Sequence, residues 1–214
     1  MTLKKIFIAT LFMFMQFSVV AKEVKDEEVK LTDKQIRALQ SLHSQQNESL
    51  DSLEGDLEDN TLMTLRLTVS KLQDNQGQVY LGAKVNSAEL VIYLHKLAQL
   101  LGDDFQQYRA LQAARDHQLF HMTLLSPNEY QLADKGLVEK LLSSAENNQL
   151  TVNLLGLGTV KLDDKETFFV VAQSTSGQFI RQRLLLKNKD FHITLGFKPN
   201  DIYGVTKDSS TLIK

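Results

Sequence analysis

The sequence predicts an α+β protein in which two β/α lobes of similar build follow an N-terminal helical arm. Three observations carry this. Segments that alternate apolar and polar residues are interleaved with segments whose apolar residues recur at helical spacing. A helix followed by a strand occurs in both halves of the region after Leu62, and each of those strands carries the same His-x-Thr-Leu tetrad. A long acidic and polar stretch without proline or aromatic residues precedes the first strand.

The chain opens with Lys4-Lys5, an apolar run from Ile6 to Val20 broken by Thr10, Gln16 and Ser18, and Val19-Val20-Ala21 before a charged stretch. This is the pattern of a signal peptide spanning 1–21, so the protein is expected to be periplasmic or secreted. The apolar run is shorter than the roughly 20 residues that cross a bilayer, which argues against a retained membrane anchor. The chain has no cysteine, which excludes lipid attachment at the cleavage site, disulfides, thiol catalysis and cysteine-based zinc sites. Loss of Lys4 and Lys5 moves the net charge from −2 to −4, and no run of basic residues compensates. Long nucleic acid is therefore not an expected partner, whereas a small or single-phosphate substrate is compatible.

In residues 22–60, Ile36, Leu39, Leu42, Leu50, Leu53 and Leu57 fall at spacings that suggest a helical stripe with a polar gap near Gln45. This polar arm is either a docking helix for a partner protein or a partly ordered spacer. The main domain, 61–214, begins with Met63, Leu65, Leu67 and Val69 alternating with polar residues, then turn residues Asp74-Asn75-Gln76-Gly77, then Val79, Leu81, Ala83 and Val85 in a second strand. A helix follows from Ala88 to Leu101, capped by Ser87 and stopped by Gly102. A second helical piece from Asp104 to Arg115 leads to the apolar run Leu119 to Leu125, which reads as a strand meeting a loop at Ser126-Pro127-Asn128. A helix near Lys135 to Ala145, strands near Leu150 to Leu162 and Thr167 to Gln173, a helix near Ser176 to Leu186 and a strand from Phe191 to Phe197 complete the pattern.

The tetrads are His121-Met122-Thr123-Leu124 and His192-Ile193-Thr194-Leu195. On an extended strand residues i and i+2 share a face, so each tetrad sets an imidazole beside a hydroxyl and turns its apolar residues the other way. If the two strands are neighbours, two imidazoles and two hydroxyls converge on a phosphate-sized point. Cleavage of a phosphodiester needs a base for water and an acid for the leaving alkoxide. Histidine titrates near neutrality and can serve as either, and threonine hydroxyls can donate to the non-bridging oxygens. A single tetrad would mean little; the pair is the signal.

The tetrads and their surroundings, from Phe120 to Tyr130 and from Phe191 to Phe197 with Asp201-Ile202-Tyr203-Gly204 after it, resemble the two-histidine phosphoesterase superfamily, in its RNA-repair-like, cyclic phosphodiesterase-type branch, the Swiss Army Knife group. The resemblance covers about Leu62 to Asp208. It implies a bilobal α+β fold with antiparallel sheets flanked by helices. It also implies metal-independent opening of a 2′,3′-cyclic nucleotide phosphate or a related small or RNA-end diester, with no cofactor. His121 would protonate the leaving oxygen, His192 would activate water, and Thr123 and Thr194 would hold phosphate. Tyr130 and Tyr203 are candidates to stack on a base and Lys207 to offset phosphate charge, or all three are surface and packing residues. RNA processing is a cytoplasmic task, so the expected export favours nucleotide scavenging. The alternative is a non-catalytic exported module of the same fold that binds a nucleotide or a partner.

Other features carry less. His95 falls mid-helix and His117 in a loop, and His117 with His121, at i and i+4, could share a metal only on a helix, whereas this segment reads as strand. Gly156-Leu157-Gly158 lacks the residues that complete a phosphate loop and reads as close packing within a strand.

Overall fold

Leu65, Leu67 and Val69 are buried along one face of the first strand while Thr64, Arg66 and Thr68 are exposed, the alternation expected of a half-buried strand. A computed structural model describes residues 63–213; the expected signal peptide and the polar arm lie outside the described residues. The strands are β1 (Met63–Gln73), β2 (Val79–Val85), β3 (Phe120–Leu125), β4 (Gln149–Leu162), β5 (Lys165–Gln173) and β6 (Phe191–Lys198). The helices are α1 (Val91–Leu101), α2 (Phe105–Arg115), α3 (Pro127–Leu132), α4 (Lys135–Ser143) and α5 (Thr175–Arg183).

All registered strand pairs are antiparallel, and the order β1-β2-β3-β6-β5-β4 closes into a barrel. The sequence suggested two lobes; the strands form one closed ring made of two three-stranded runs, β1-β2-β3 and β6-β5-β4. Each run alone would leave two open edges with unpaired backbone groups, and joining them removes those edges. One join, β1 to β4, is long, running from Met63↔Leu154 to Thr68↔Gln149. The other, β3 to β6, is held by the single registered pair Met122↔Ile193.

Local chemistry explains where the elements start. Asp74 Oδ1 accepts from the backbone N–H of Gln76 at 2.9 Å and of Gln78 at 2.8 Å, which closes the β1–β2 hairpin. Asn86, and not Ser87, caps the next segment: its side chain accepts from Ala88 N while Glu89 accepts from Asn86 N. The first turn there, Ser87–Leu90, is a 3₁₀ turn before α1. Ser126-Pro127-Asn128, expected to be a loop, opens α3. Ser126 Oγ accepts from Glu129 N, the Glu129 carboxylate accepts from Ser126 N at 2.8 Å, and proline occupies the first helical turn, where it lacks no needed N–H.

Met122, Leu124, Ile193 and Leu195, on the faces opposite the tetrad histidines, are fully buried in a core that includes Leu97 of α1, Tyr108 of α2 and Ile180 of α5. Helix α2 lies so close to β6 that a Cβ on Gly196 would stand 3.0 to 3.2 Å from Tyr108 atoms. Gly158 sits in β4 where a Cβ would meet the Phe169 ring at 2.8 Å, so the glycine pair there serves strand packing. Arg181 of α5, 2% exposed, donates to Leu124 O at 2.6 Å, to Lys187 O at 2.8 Å and to both Glu129 oxygens at 2.7 and 3.1 Å. This one side chain ties α5 and α3 to the end of β3.

Candidate active site

The register at the β3–β6 seam determines the site. With Met122 opposite Ile193, the next residues along the antiparallel pair set His121 across from Thr194 and Thr123 across from His192. Opposite residues share a face, so the four side chains form a quartet on the side away from the core, with the histidines on its diagonal. Diagonal neighbours of this kind lie roughly 7–8 Å apart at the backbone, a span that a phosphate with hydrogen bonds on both sides can fill. All four line one cavity of about 780 Å³.

Each imidazole leans on a ring. The centroid of His121 is 5.5 Å from that of Tyr80 on β2, and His192 is 5.5 Å from Phe169 on β5, edge to face. His192 has a pKa lowered to about 3, first because burial disfavours the imidazolium and then because Lys207 and Lys189 repel it. Its Nδ1 is buried with no hydrogen-bond partner among the described residues, which leaves Nε2 as the nitrogen that can meet a ligand. His121 is also lowered by burial, but Asp116 pulls in the opposite direction. Both imidazoles are thus shifted toward the neutral form, His192 the further, because two lysines add to its burial whereas Asp116 offsets part of the burial at His121.

Beside the quartet stands a buried charge cluster centred on Asp201. Its carboxylate accepts from Thr167 Oγ1 at 2.9 Å, from Lys207 Nζ at 3.2 Å and from Arg115 Nη1. Arg115 also donates to both Asp116 oxygens, at 2.7 and 2.6 Å, and to the Tyr203 hydroxyl at 3.2 Å. Burial would lift the Asp201 pKa, but Lys207 and Arg115 hold it below the usual carboxylate range. Arg115 and Tyr203 form part of the cavity wall.

Of the residues singled out in the sequence, His121, His192, Thr123, Thr194 and Tyr203 share this cavity. Tyr203 is 73% exposed there. Lys207 does not reach the wall: it is 3% exposed, paired to Asp201, with its ammonium 5.4 Å from the centre of the Phe169 ring. Tyr130 lies outside the cavity, packed against the core with Lys135 Nζ 4.5 Å over its ring. His117 is on the cavity wall, in the turn after α2 with a φ of 53°. His95 is in α1, hydrogen-bonded to Gln99. Sequence reasoning missed Tyr80, Arg115, Asp116, Asp201 and Lys189. Asp201 lies in the segment after the second tetrad, and Arg115, Asp116 and Lys189 lie three to six residues before a tetrad histidine, a nearness in sequence that could have found them; Tyr80 reaches the site from β2, remote in sequence.

Two imidazole–hydroxyl couples facing each other across one strand seam are groups that can do acid–base chemistry on a phosphoester. Residues 79–203, which include both tetrads, match the family model of the Swiss Army Knife 2H phosphoesterase domain, and the chain belongs to that family. Members of the wider 2H phosphoesterase family generally hydrolyse phosphodiester bonds. No curated protein and no solved structure matches the chain.

Proposed function

We propose that this protein is a metal-independent phosphodiesterase that opens a small cyclic nucleotide or RNA-end diester of the 2′,3′-cyclic phosphate type. The observation that carries the reading is the quartet at the β3–β6 seam, His121 with Thr194 and Thr123 with His192. In this mechanism His192, neutral at physiological pH, accepts a proton from water as the water oxygen attacks phosphorus. His121, as the imidazolium, gives its proton to the departing ribose oxygen, so that a monoester with a free hydroxyl results. The negative charge of the bound diester favours that imidazolium. Thr123 and Thr194 donate to the non-bridging oxygens, where charge is greatest in the transition state.

The exposed ring of Tyr203 on the cavity wall suits stacking on a base. The expected export places the substrate pool outside the cytoplasm, in keeping with nucleotide scavenging; fractionation of cells that express the full chain tests this. The test of the reaction is incubation of the pure protein in EDTA with a panel of 2′,3′-cyclic, 3′,5′-cyclic and 2′-5′ diesters, with product identification. Turnover that is selective for the 2′,3′-cyclic class and lost in His121→Ala and in His192→Ala supports the reading. Turnover that survives both substitutions, or that EDTA abolishes, overturns it. If the protein binds these nucleotides without turning any over, the alternative of a binding module takes its place.

A further inference from the structure

Lys189 is a half-buried cation on the cavity wall, three residues before His192, in the loop that leads into β6. Its backbone is fixed on both sides by one side chain: Gln178 Oε1 accepts from Lys189 N at 3.2 Å, and Gln178 Nε2 donates to Lys189 O at 2.6 Å. The ammonium has a weak claim on a carboxylate. Glu129 Oε2 is 3.8 Å away, beyond a good hydrogen bond, and that carboxylate is already engaged by the buried Arg181 guanidinium and by the Ser126 N–H.

Charge counting around the cavity then separates Lys189 from its neighbours. Arg115 and Lys207 are matched by Asp116 and Asp201, and Lys71 is matched by Glu139. Arg181 and Lys189 share the single charge of Glu129, which leaves one net positive charge beside His192. Lys84, also on the wall, is exposed and keeps its hydration, and the Asp74 carboxylate there accepts from the Gln76 and Gln78 backbone N–H groups. Lys189 has lost part of its own, and burial together with Arg181 and Lys207 lowers its pKa despite Glu129. A partly dehydrated cation with an incomplete counter-charge, held at the mouth of a site, is a binding group for an anion.

We infer that Lys189 is a phosphate-binding residue of this site, whose ammonium takes a non-bridging oxygen on the His192 side while the threonines hold the phosphate from the strands. Its role in turnover rests on the phosphodiesterase reading; its role in binding does not. An anion in contact with Lys189 completes the charge balance that Glu129 leaves open. The same ammonium adds, after burial and Lys207, to what holds the His192 imidazole neutral, as a base must be. Lys189 thus joins anion recognition to the protonation state of the group that activates water.

The experiment is calorimetric titration of inorganic phosphate into the full chain, wild type against Lys189→Met and Lys189→Arg, with Lys71→Met as a control. Lys189→Met is expected to weaken phosphate binding roughly tenfold or more, Lys189→Arg to stay within a few fold of wild type, and Lys71→Met to leave it unchanged. A folded Lys189→Met protein that binds phosphate as well as wild type overturns the inference, as does a wild type that does not bind millimolar phosphate. Acylation of Lys189 in the wild-type protein, followed by mass spectrometry, reads the same contact without a variant: phosphate should protect it, and no protection overturns the proposal. If a diester is turned over, Lys189→Met should raise its KM more than it lowers kcat. It should also move the acid limb of the pH profile upward, because His192 loses a repelling cation. Phosphate binding that depends on Lys189 in a protein that hydrolyses no diester sinks the enzymatic reading alone.

Discussion

Met122 on β3 and Ile193 on β6 are the registered pair at the shorter of the two joins in the barrel, and both are fully buried. Each is followed by its tetrad threonine and preceded by its tetrad histidine. The same contact therefore anchors the core on one face and positions the four tetrad side chains on the other. A barrel that could slip by one residue at this seam would turn the histidines into the core and the site would vanish.

Removal of either imidazole should lower kcat by a factor of roughly 10² to 10⁴, the contribution of a positioned general acid or base. His121→Ala and His192→Ala are to be compared singly and together in steady-state assays. If the two groups act in one transition state, as proposed, the double variant should lose far less than the product of the single losses. Multiplicative losses would show that the histidines act independently.

Thr123→Val and Thr194→Val keep the shape of the side chain and delete the hydroxyl. Each should lower kcat by roughly 10² to 10³ if the hydroxyl donates to a phosphate oxygen in the transition state. Thr194 is 7% exposed, so its valine form should fold well, and thermal melts would check this. An unchanged kcat in either variant would assign that threonine to strand packing.

The acid side of the stability curve should carry two separable steps. The imidazole of residue 192 binds a proton near pH 6.5 in the unfolded chain but only at about 3 in the folded one, so protons favour unfolding as pH falls through that window. Stability is thus full above about 6.5 and is lost downwards, and His192→Gln should flatten this part. For Glu129, burial alone would raise the pKa, but the Arg181 hydrogen bonds and the Ser126 N–H hold it at about 2 against 4.5 unfolded. Its contribution is full above 4.5 and lost as pH falls to 2. Denaturant melts from pH 8 to pH 2.5 would resolve the two.

Arg181→Met leaves the Glu129 carboxylate with a weak partner and strips donors from Leu124 O and Lys187 O. Breaking a buried pair on one side costs about 3–5 kcal/mol, and chemical denaturation should read a loss of that order. A loss below about 1 kcal/mol would show that the anchor is dispensable.

Tyr203→Ala should raise KM for a base-bearing diester by roughly 5- to 100-fold, the range for one stacked base, and leave a base-free cyclic phosphate unaffected. Tyr130→Ala, outside the cavity, should change stability without that selectivity. Equal effects on both substrates would move Tyr203 from base contact to wall support.

The strands and helices were legible because their causes are local. The alternation through Met63 to Val69, the turn at Asp74 and the stop at Gly102 each depend on neighbours a few residues away. The misreading at Ser126-Pro127-Asn128 has the same kind of cause, since a serine, a proline and a glutamate at these positions open a helix as readily as they end a strand. The closed ring was not legible, because closure depends on pairing β1 with β4 and β3 with β6, and alternation along a strand says nothing about its partner.

By itself the sequence determined the candidate groups: the two His-x-Thr couples, and through the period of an extended strand, the face that each histidine shares with its threonine. Only the tertiary structure decided that His121 faces Thr194 and His192 faces Thr123, that Lys207 is spent on Asp201, and that Lys189 stands at the cavity with half a counter-charge. The reason is physical. A side chain's direction along one strand follows from local backbone geometry, whereas its protonation state and partners depend on burial and on charges from segments brought near by the fold.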